Sequence, residues 1–204
     1  TKLAESYLRR PNYSQMAFDS FISITKTKPN MKCCDVGAGV AHLTLMLAEF
    51  GLGITAIEPN DAMRKNGIER TQGFKNIKWL EGTGESTNQP TNEFDIVTFG
   101  SSFNVCDRYL TLNEVARILK ERGWFICLWN HRDLNDPIQR EIENIIRSSL
   151  PEYKYGARRE DQTEIINGSG LFTNITKFSG TISHTQTIVQ CVDAWRSHAT
   201  LMRQ

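Results

Sequence analysis

No stretch of this 204-residue chain approaches the roughly 18 consecutive apolar residues of a membrane-spanning helix. The opening residues, Thr1-Lys2-Leu3-Ala4-Glu5, hold no secretory hydrophobic region. Neither sign of charge is in excess. With 24 Lys and Arg against 23 Asp and Glu, no global field draws the chain to nucleic acid or an anionic membrane. The cysteines, Cys33, Cys34, Cys106, Cys127 and Cys191, form no C-x-x-C pair, so no metal site is expected; four read as buried, reduced thiols, and Cys106, near the candidate site, stays open. Internal repeats and low-complexity tracts are missing as well. A cytoplasmic protein with no membrane or nucleic-acid partner is the expectation, and nothing sets an oligomeric state. The chain lacks an initiator Met and stops at Met202-Arg203-Gln204 within a helical pattern, so both ends are expected to be trimmed.

What is present is a rhythm of strands and helices. Lys32–Val36, Gly53–Glu58, Ile77–Leu80, Phe94–Phe99 and Trp124–Trp129 read as five strands. Helices are expected over Ala41–Phe50, Asp61–Thr71 and Tyr109–Glu121, the last ended by Gly123. This alternation implies a doubly wound, mostly parallel α/β sheet with right-handed crossovers. A leading helical region, Thr1 to about Lys26, precedes it. Beyond Asn130 come an amphipathic helix, Pro137–Leu150, a charged loop, Tyr153–Gln162, strand-like alternation over Phe172–Ser183 and a helix over Val192–Leu201. The expected organisation is one domain over residues 1–204: a helical lid (1–30), a core (31–130), and a cap insertion with the C-terminal part (131–204).

The chemistry concentrates where the first strand ends. Asp35 closes it, and Gly37 and Gly39 let the backbone turn sharply with no side chain between loop and ligand. A carboxylate there opposes a pyrophosphate and suits a ligand carrying an ammonium group. His42 stands at the third glycine of a G-x-G-x-x-G fingerprint, so the dinucleotide pattern is broken. Glu58 closes the second strand about twenty residues on, the offset at which an acid holds both ribose hydroxyls.

These residues carry a resemblance. Asp35-Val36-Gly37-Ala38-Gly39 with Thr44, then Ala56-Ile57-Glu58-Pro59-Asn60-Asp61-Ala62-Met63, resemble the first two motifs of class I S-adenosylmethionine-dependent methyltransferases. Gly82-Thr83-Gly84-Glu85 before Phe94-Asp95-Ile96-Val97-Thr98 is similar to their adenine loop and fourth strand. Arg10-Pro11-Asn12-Tyr13 and Leu128-Trp129-Asn130-His131-Arg132-Asp133 resemble elements of the small-molecule branch called methyltransferase type 11. The resemblance implies a Rossmann-like fold with a helical lid and cap, whose last strand is not visible here. It implies S-adenosylmethionine as cofactor, S-adenosylhomocysteine as product and a small-molecule acceptor. Asp35 and the Gly37–Gly39 backbone would face the methionine moiety, Glu58 would take the ribose hydroxyls, Met63 would pack near the adenine, and Pro59 would also contact the cofactor. Thr83, Gly84 and Glu85 would hold the adenine edge; Gly100, Ser101 and Phe103 would close around the sulfonium; Arg10 and Tyr13 would lie over the cofactor.

Methyl transfer from a sulfonium is an in-line displacement, so alignment and water exclusion carry most of the work. His131, just past the fifth strand, is the candidate base, and Asn104 the candidate to orient an acceptor oxygen. An oxygen acceptor is slightly favoured. Arg132, Arg158 and Arg159 could favour an anionic acceptor if they converge. The alternatives are a non-catalytic S-adenosylmethionine-binding module and an NAD-dependent oxidoreductase on the same half-fold.

Overall fold

β1 (Lys32–Val36) is exposed only at Lys32 and buried over its other four residues, the signature of a strand covered on both faces. In the computed structural model, which describes residues 7–153 and 160–196, it lies at the centre of a five-stranded parallel sheet. Its companions are β2 (Gly53–Ile57), β3 (Ile77–Leu80), β4 (Phe94–Gly100) and β5 (Leu119–Leu128), in the order β3-β2-β1-β4-β5. The order reverses between β1 and β4, where an open α/β sheet forms its ligand crevice.

Both faces carry a core. On one, Phe18 and Phe21 of α1 (Gln15–Thr25) and Leu43 and Leu47 of α2 (His42–Phe50) pack on Cys33, Ile54 and Ile96. On the other, Leu112, Val115 and Ile118 of α4 (Arg108–Ile118) pack on Cys34, Val36 and Val97. α3 (Asp61–Thr71) lies beside β3, where Gly67 is pressed so closely that a Cβ there would sit 2.2 Å from the Trp79 ring. α3 and α4 begin on side-chain caps: Asn60 accepts from the Met63 amide and Asp107 from the Leu110 amide.

Three stretches differ from the sequence reading. α4 ends at Ile118, not Glu121, and β5 starts at once at Leu119. The register between β4 and β5 is irregular between the Phe94 and Ile96 pairs, and Arg122 takes φ +65° there. Gly123 therefore serves a bulge and not a helix stop: a Cβ on it would lie 2.8 Å from Leu119 and 3.2 Å from the Asp95 carbonyl. Residues 172–183 form no strand. Phe172 packs on Phe125 on one side, whereas Phe178 packs into the core under α1, and Ser14 Oγ donates to the Thr181 carbonyl at 3.0 Å. The apolar alternation thus marks anchors on opposite faces of the sheet, not a pleat. In the leading region, residues 11–14 are irregular and the helix is Gln15–Thr25, capped by Ser14.

The remaining helices are α5 (Pro137–Ser149), α6 (Thr163–Gly168) and α7 (Ile188–Arg196). Glu143 of α5, almost fully buried, accepts from Arg132 at 2.6 Å and Arg147 at 2.9 Å, and the Arg132 guanidinium lies 4.5 Å over the Trp195 ring of α7. This cluster fastens α5 and α7 to the segment leaving β5. Residues 1–6, most of the expected loop over 153–162, and the helix expected beyond residue 196 lie outside the described residues. No described helix is long and apolar enough to cross a membrane.

Candidate active site

The turn after β1 is built from left-handed backbone, with Gly37 at φ +69°, Gly39 at +59° and Ala41 at +73°. The amides of Gly37 and Ala38 both donate to the Ile57 carbonyl, at 2.8 and 3.0 Å, which ties the turn to the end of β2. Glu58 follows and is buried. Its Oε2 accepts from the Gly39 amide at 2.8 Å and its Oε1 from the Asn60 amide at 2.9 Å. Each oxygen keeps a further lone-pair direction, so the carboxylate can still receive two hydroxyls. Burial raises its pKa, and the Asn60 and Gly39 amides and the Arg64 charge pull it back.

Asp35 departs from expectation. It is fully buried, with Oδ2 accepting from Thr44 at 2.7 Å and Oδ1 from Thr98 at 2.9 Å. It stands behind the glycine turn instead of facing a ligand, because none of it is exposed and the residues that cover it, Thr44 of α2 and Thr98 of β4, donate to its two oxygens. Burial lifts its pKa from 3.8 to about 6 against those two hydrogen bonds, and the nearby Glu58 charge adds to the rise. Its influence on a ligand is through its field. Two neighbouring carboxylates, each costly to ionise, make a site that gains from an incoming cation and opposes a pyrophosphate.

Around this centre the other expected residues divide. An open cleft of about 330 Å³ beside β2 and β3 is lined by Pro59, Glu81, Gly82, Thr83, Ser86 and Asn88. Pro59 and Thr83 were expected here; Glu81, Gly82, Ser86 and Asn88 were not. Thr83 closes a turn with Ser86, its Oγ1 accepting from the Ser86 amide at 3.2 Å. Met63 is half-buried in the first turn of α3. Gly84 is turned away and buried: a Cβ would lie 2.8 Å from Cys106 Sγ and 3.0 Å from Thr111 Oγ1. Glu85 does not reach the cleft with its Oε1, which accepts from the Asp107 amide at the start of α4.

The other side of the crevice is tightly filled. Gly100 ends β4, and a Cβ there would be 2.8 Å from the Tyr13 hydroxyl, which donates to Ser101 Oγ at 3.1 Å. Burial holds the Tyr13 phenol well above its usual pKa, so it is a neutral donor. Arg10 lies near it with its guanidinium 3.6 Å over the Tyr7 ring. Ser102 presses on Gly37, where a Cβ would meet it at 2.4 Å, and its hydroxyl donates to the Val36 carbonyl at 2.7 Å. Phe103 is a correction: it is fully buried in an edge-to-face cluster with Phe99 and Phe125, centroids 5.6 and 5.3 Å away, so it is core and not pocket wall.

Of the catalytic candidates, His131 is exposed just beyond β5. Asn104 lies in a single turn after β4, and its Oδ1 accepts from the Trp129 indole at 2.9 Å. That bond joins the β4 and β5 exits through Oδ1 and leaves the Nδ2 donor as the group that could orient an acceptor oxygen. Arg132 is spent on Glu143, and Arg158 and Arg159 fall outside the described residues. Sequence reasoning missed Arg64, which donates to the Glu58 carbonyl at 2.6 Å, and Arg70, which donates to the Val40 carbonyl; both are polar positions on the α3 turns that face the glycine loop.

A parallel sheet with its crevice at a β1–β4 reversal, glycines at the β1 exit and an acid at the β2 exit defines an adenosyl-binding α/β domain. The comparisons agree. The methyltransferase domain family matches residues 34–127. A ubiquinone/menaquinone biosynthesis C-methyltransferase of Zymomonas mobilis is 25% identical over 178 residues, covering 80% of this chain and 70% of that protein. A demethylmenaquinone methyltransferase of Staphylococcus carnosus is 32% identical over 108 residues, covering 50% of this chain; the chain spans 44% of that relative's length. A solved structure from Methanococcus maripaludis shares the fold, with a TM-score of 0.58 at 18% identity over 75% of this chain and 71% of that one. The chain carries a class I S-adenosylmethionine-dependent methyltransferase domain, and S-adenosylmethionine is its cofactor.

The residues present suit that group. Glu58 can receive the ribose hydroxyls, the field of buried Asp35 favours a cationic group, and Gly39, where a Cβ would meet only the Gly37 carbonyl at 3.9 Å, leaves the turn backbone open to close approach.

Proposed function

We propose that this domain transfers a methyl group from S-adenosylmethionine to a small molecule with an ionisable ring hydroxyl, at ring carbon or at oxygen. The observation that carries the donor half is the pairing of buried Asp35 and Glu58 around the Gly37–Gly39 turn. Bound donor supplies a sulfonium methyl activated for in-line displacement. Glu58 receives the ribose hydroxyls, Pro59, Met63 and Thr83 flank the base, and Gly37, Gly39, Gly100 and Ser101 border the methionine end. Tyr13 and Arg10 cover it from the leading segment. Excluding water and fixing the approach line is worth roughly 7–11 kcal/mol in well-oriented reactions.

Oxygen is the acceptor expected from the sequence, whereas the Zymomonas relative is named a C-methyltransferase. A phenolic ring reconciles the two, because methylation at oxygen and at the adjacent ring carbon both begin by removing the hydroxyl proton. His131, on the segment leaving β5, takes that role in this reading. In this reading the lid ends at residue 30, the donor-binding core spans 31–130 and the acceptor-side cap begins at residue 131.

Titration calorimetry with S-adenosylmethionine, S-adenosylhomocysteine and NAD tests the donor site. Binding of both adenosyl compounds and not NAD is expected; preference for NAD overturns the reading. A panel of phenols, alcohols and amines, followed by mass spectrometry for a methyl gain and by NMR for its position, tests the acceptor. Turnover restricted to amines would remove the phenolic assignment.

A further inference from the structure

The segment 7–14 is held across the crevice by more than its two expected donor contacts. At one side His42, the first residue of α2, places Nε2 2.7 Å from the Tyr7 carbonyl and Nδ1 2.9 Å from Asn12 Oδ1. At the other side Asn130, just beyond β5, donates from Nδ2 to the Pro11 and Asn12 carbonyls at 3.3 and 3.2 Å. Between them Tyr13, half-buried, lies against Gly100 and is bonded to Ser101 at the end of β4. Arg9 adds an exposed ion pair to Asp193 of α7 at 3.3 Å. The segment therefore runs as a strap from the helix after β1 to the exit of β5, directly over the β1–β4 reversal. A ligand lying between the tips of β1 and β4 has to pass beneath it.

The two fastenings are specific. The Tyr7 carbonyl can only accept, so Nε2 of His42 carries a proton. Burial and the Arg70 and Arg10 charges hold the imidazole pKa below its usual value, which favours a neutral ring whose Nδ1 accepts; the Asn12 contact is then a hydrogen bond with that amide turned so that its Nδ2 donates. Asn130 supplies two N–H bonds from one nitrogen to consecutive carbonyls, which no carboxylate can do.

We propose that His42 and Asn130 are positioning residues that latch residues 7–14 over the donor site, so that their release sets how fast S-adenosylmethionine enters and S-adenosylhomocysteine leaves. This rests on the donor-site reading above, and two readouts separate the two. The first is release of radiolabelled S-adenosylmethionine chased by excess unlabelled compound. The second, independent of any ligand, is the rate of tryptic cleavage at the Arg9–Arg10 bond. Loss of a pair of hydrogen bonds, each worth about 0.5–1.5 kcal/mol net, corresponds to roughly tenfold. His42→Leu and Asn130→Asp are each expected to raise both rates about tenfold. His42→Gln, which presents one donor and one acceptor at the same positions, should stay within about threefold of the parent. Parent-like release and cleavage in His42→Leu and Asn130→Asp would overturn the latch, as would His42→Gln behaving like His42→Leu. If no variant and no parent protein holds the labelled donor, the donor site is wrong, and cleavage alone then decides the latch.

Discussion

Thr98 on β4 donates its hydroxyl to Asp35 on β1 at 2.9 Å, across the register pair where the strand order reverses. That bond crosses the floor of the crevice and, with the bond from Thr44, lets a fully buried carboxylate exist there at all. The cost is visible in titration. A buried acid with pKa raised from 3.8 to about 6 binds its proton more tightly folded than unfolded. Its contribution to stability is therefore complete below about pH 4 and is lost as pH rises through about 6.

Asp35→Asn removes that loss while keeping an acceptor and a donor for the two threonines. The substitution should flatten the stability profile between about pH 4 and 6 and raise the melting temperature at pH 8 by roughly 5 °C. Affinity for S-adenosylmethionine should fall about tenfold, since the field that favours a cation is gone. Thermal melts across pH, with calorimetry at pH 8, check both halves. A melting temperature that drops at pH 8 would contradict the assigned cost.

Glu58 joins two backbone elements through one carboxylate, the glycine turn and the entry to α3, and its own carbonyl accepts from the guanidinium of Arg64. Glu58→Ala is expected to weaken S-adenosylhomocysteine binding about 100-fold, which is the scale of two charge-assisted hydrogen bonds at about 1.5–3 kcal/mol each, less what water restores. Glu58→Gln keeps an acceptor for the Gly39 amide and should lose about tenfold. Equal affinity of parent and Ala variant in calorimetry would remove Glu58 from the site.

How far the sequence led depends on whether a residue's partner is near it in the chain. The boundaries of β1, β3 and α3 were legible because local signals bound them: continuous apolar runs, the Asn60 cap, the Gly37–Gly39 turn. Asp35 was not, because an acid at a strand end reads as ligand-facing, and one of its two partners is 63 residues away on β4. Phe103 misled similarly. A lone aromatic in a polar turn reads as pocket wall, but its partners Phe99 and Phe125 converge only once β4 and β5 pair. His42, read from the sequence as the residue that breaks the glycine fingerprint, acquires further meaning from Tyr7 and Asn12, which folding brings to it from about thirty residues upstream.

Gly67 carries a stability prediction of opposite sign to its helical propensity. Alanine gains about 1 kcal/mol over glycine in a helix interior. Here the new Cβ would meet Trp79 at 2.2 Å, and that ring is held by its indole N–H donating to Thr71 at 2.9 Å. Overpacking of about 1–3 kcal/mol or more should win, lowering the melting temperature of Gly67→Ala by roughly 2–8 °C. Trp79→Phe in the same chain opens the space, so the double variant should lose less than the sum of the singles. Additive losses would show that the ring can move aside.

His131 is separable from a structural residue by its pH dependence. A general base contributes about 100- to 10,000-fold when the acceptor is protonated and nothing once solution has removed the proton. With a phenolic acceptor, kcat of His131→Gln should fall at least about 100-fold at pH 7, and the deficit should close as pH rises past the acceptor's own pKa. The affinity for S-adenosylmethionine should not change, because in this reading His131 acts on the acceptor and not on the donor. A rate that falls equally at every pH would assign His131 to holding the acceptor. A rate that does not fall would leave the ring hydroxyl to ionise unaided, with orientation as the domain's whole contribution.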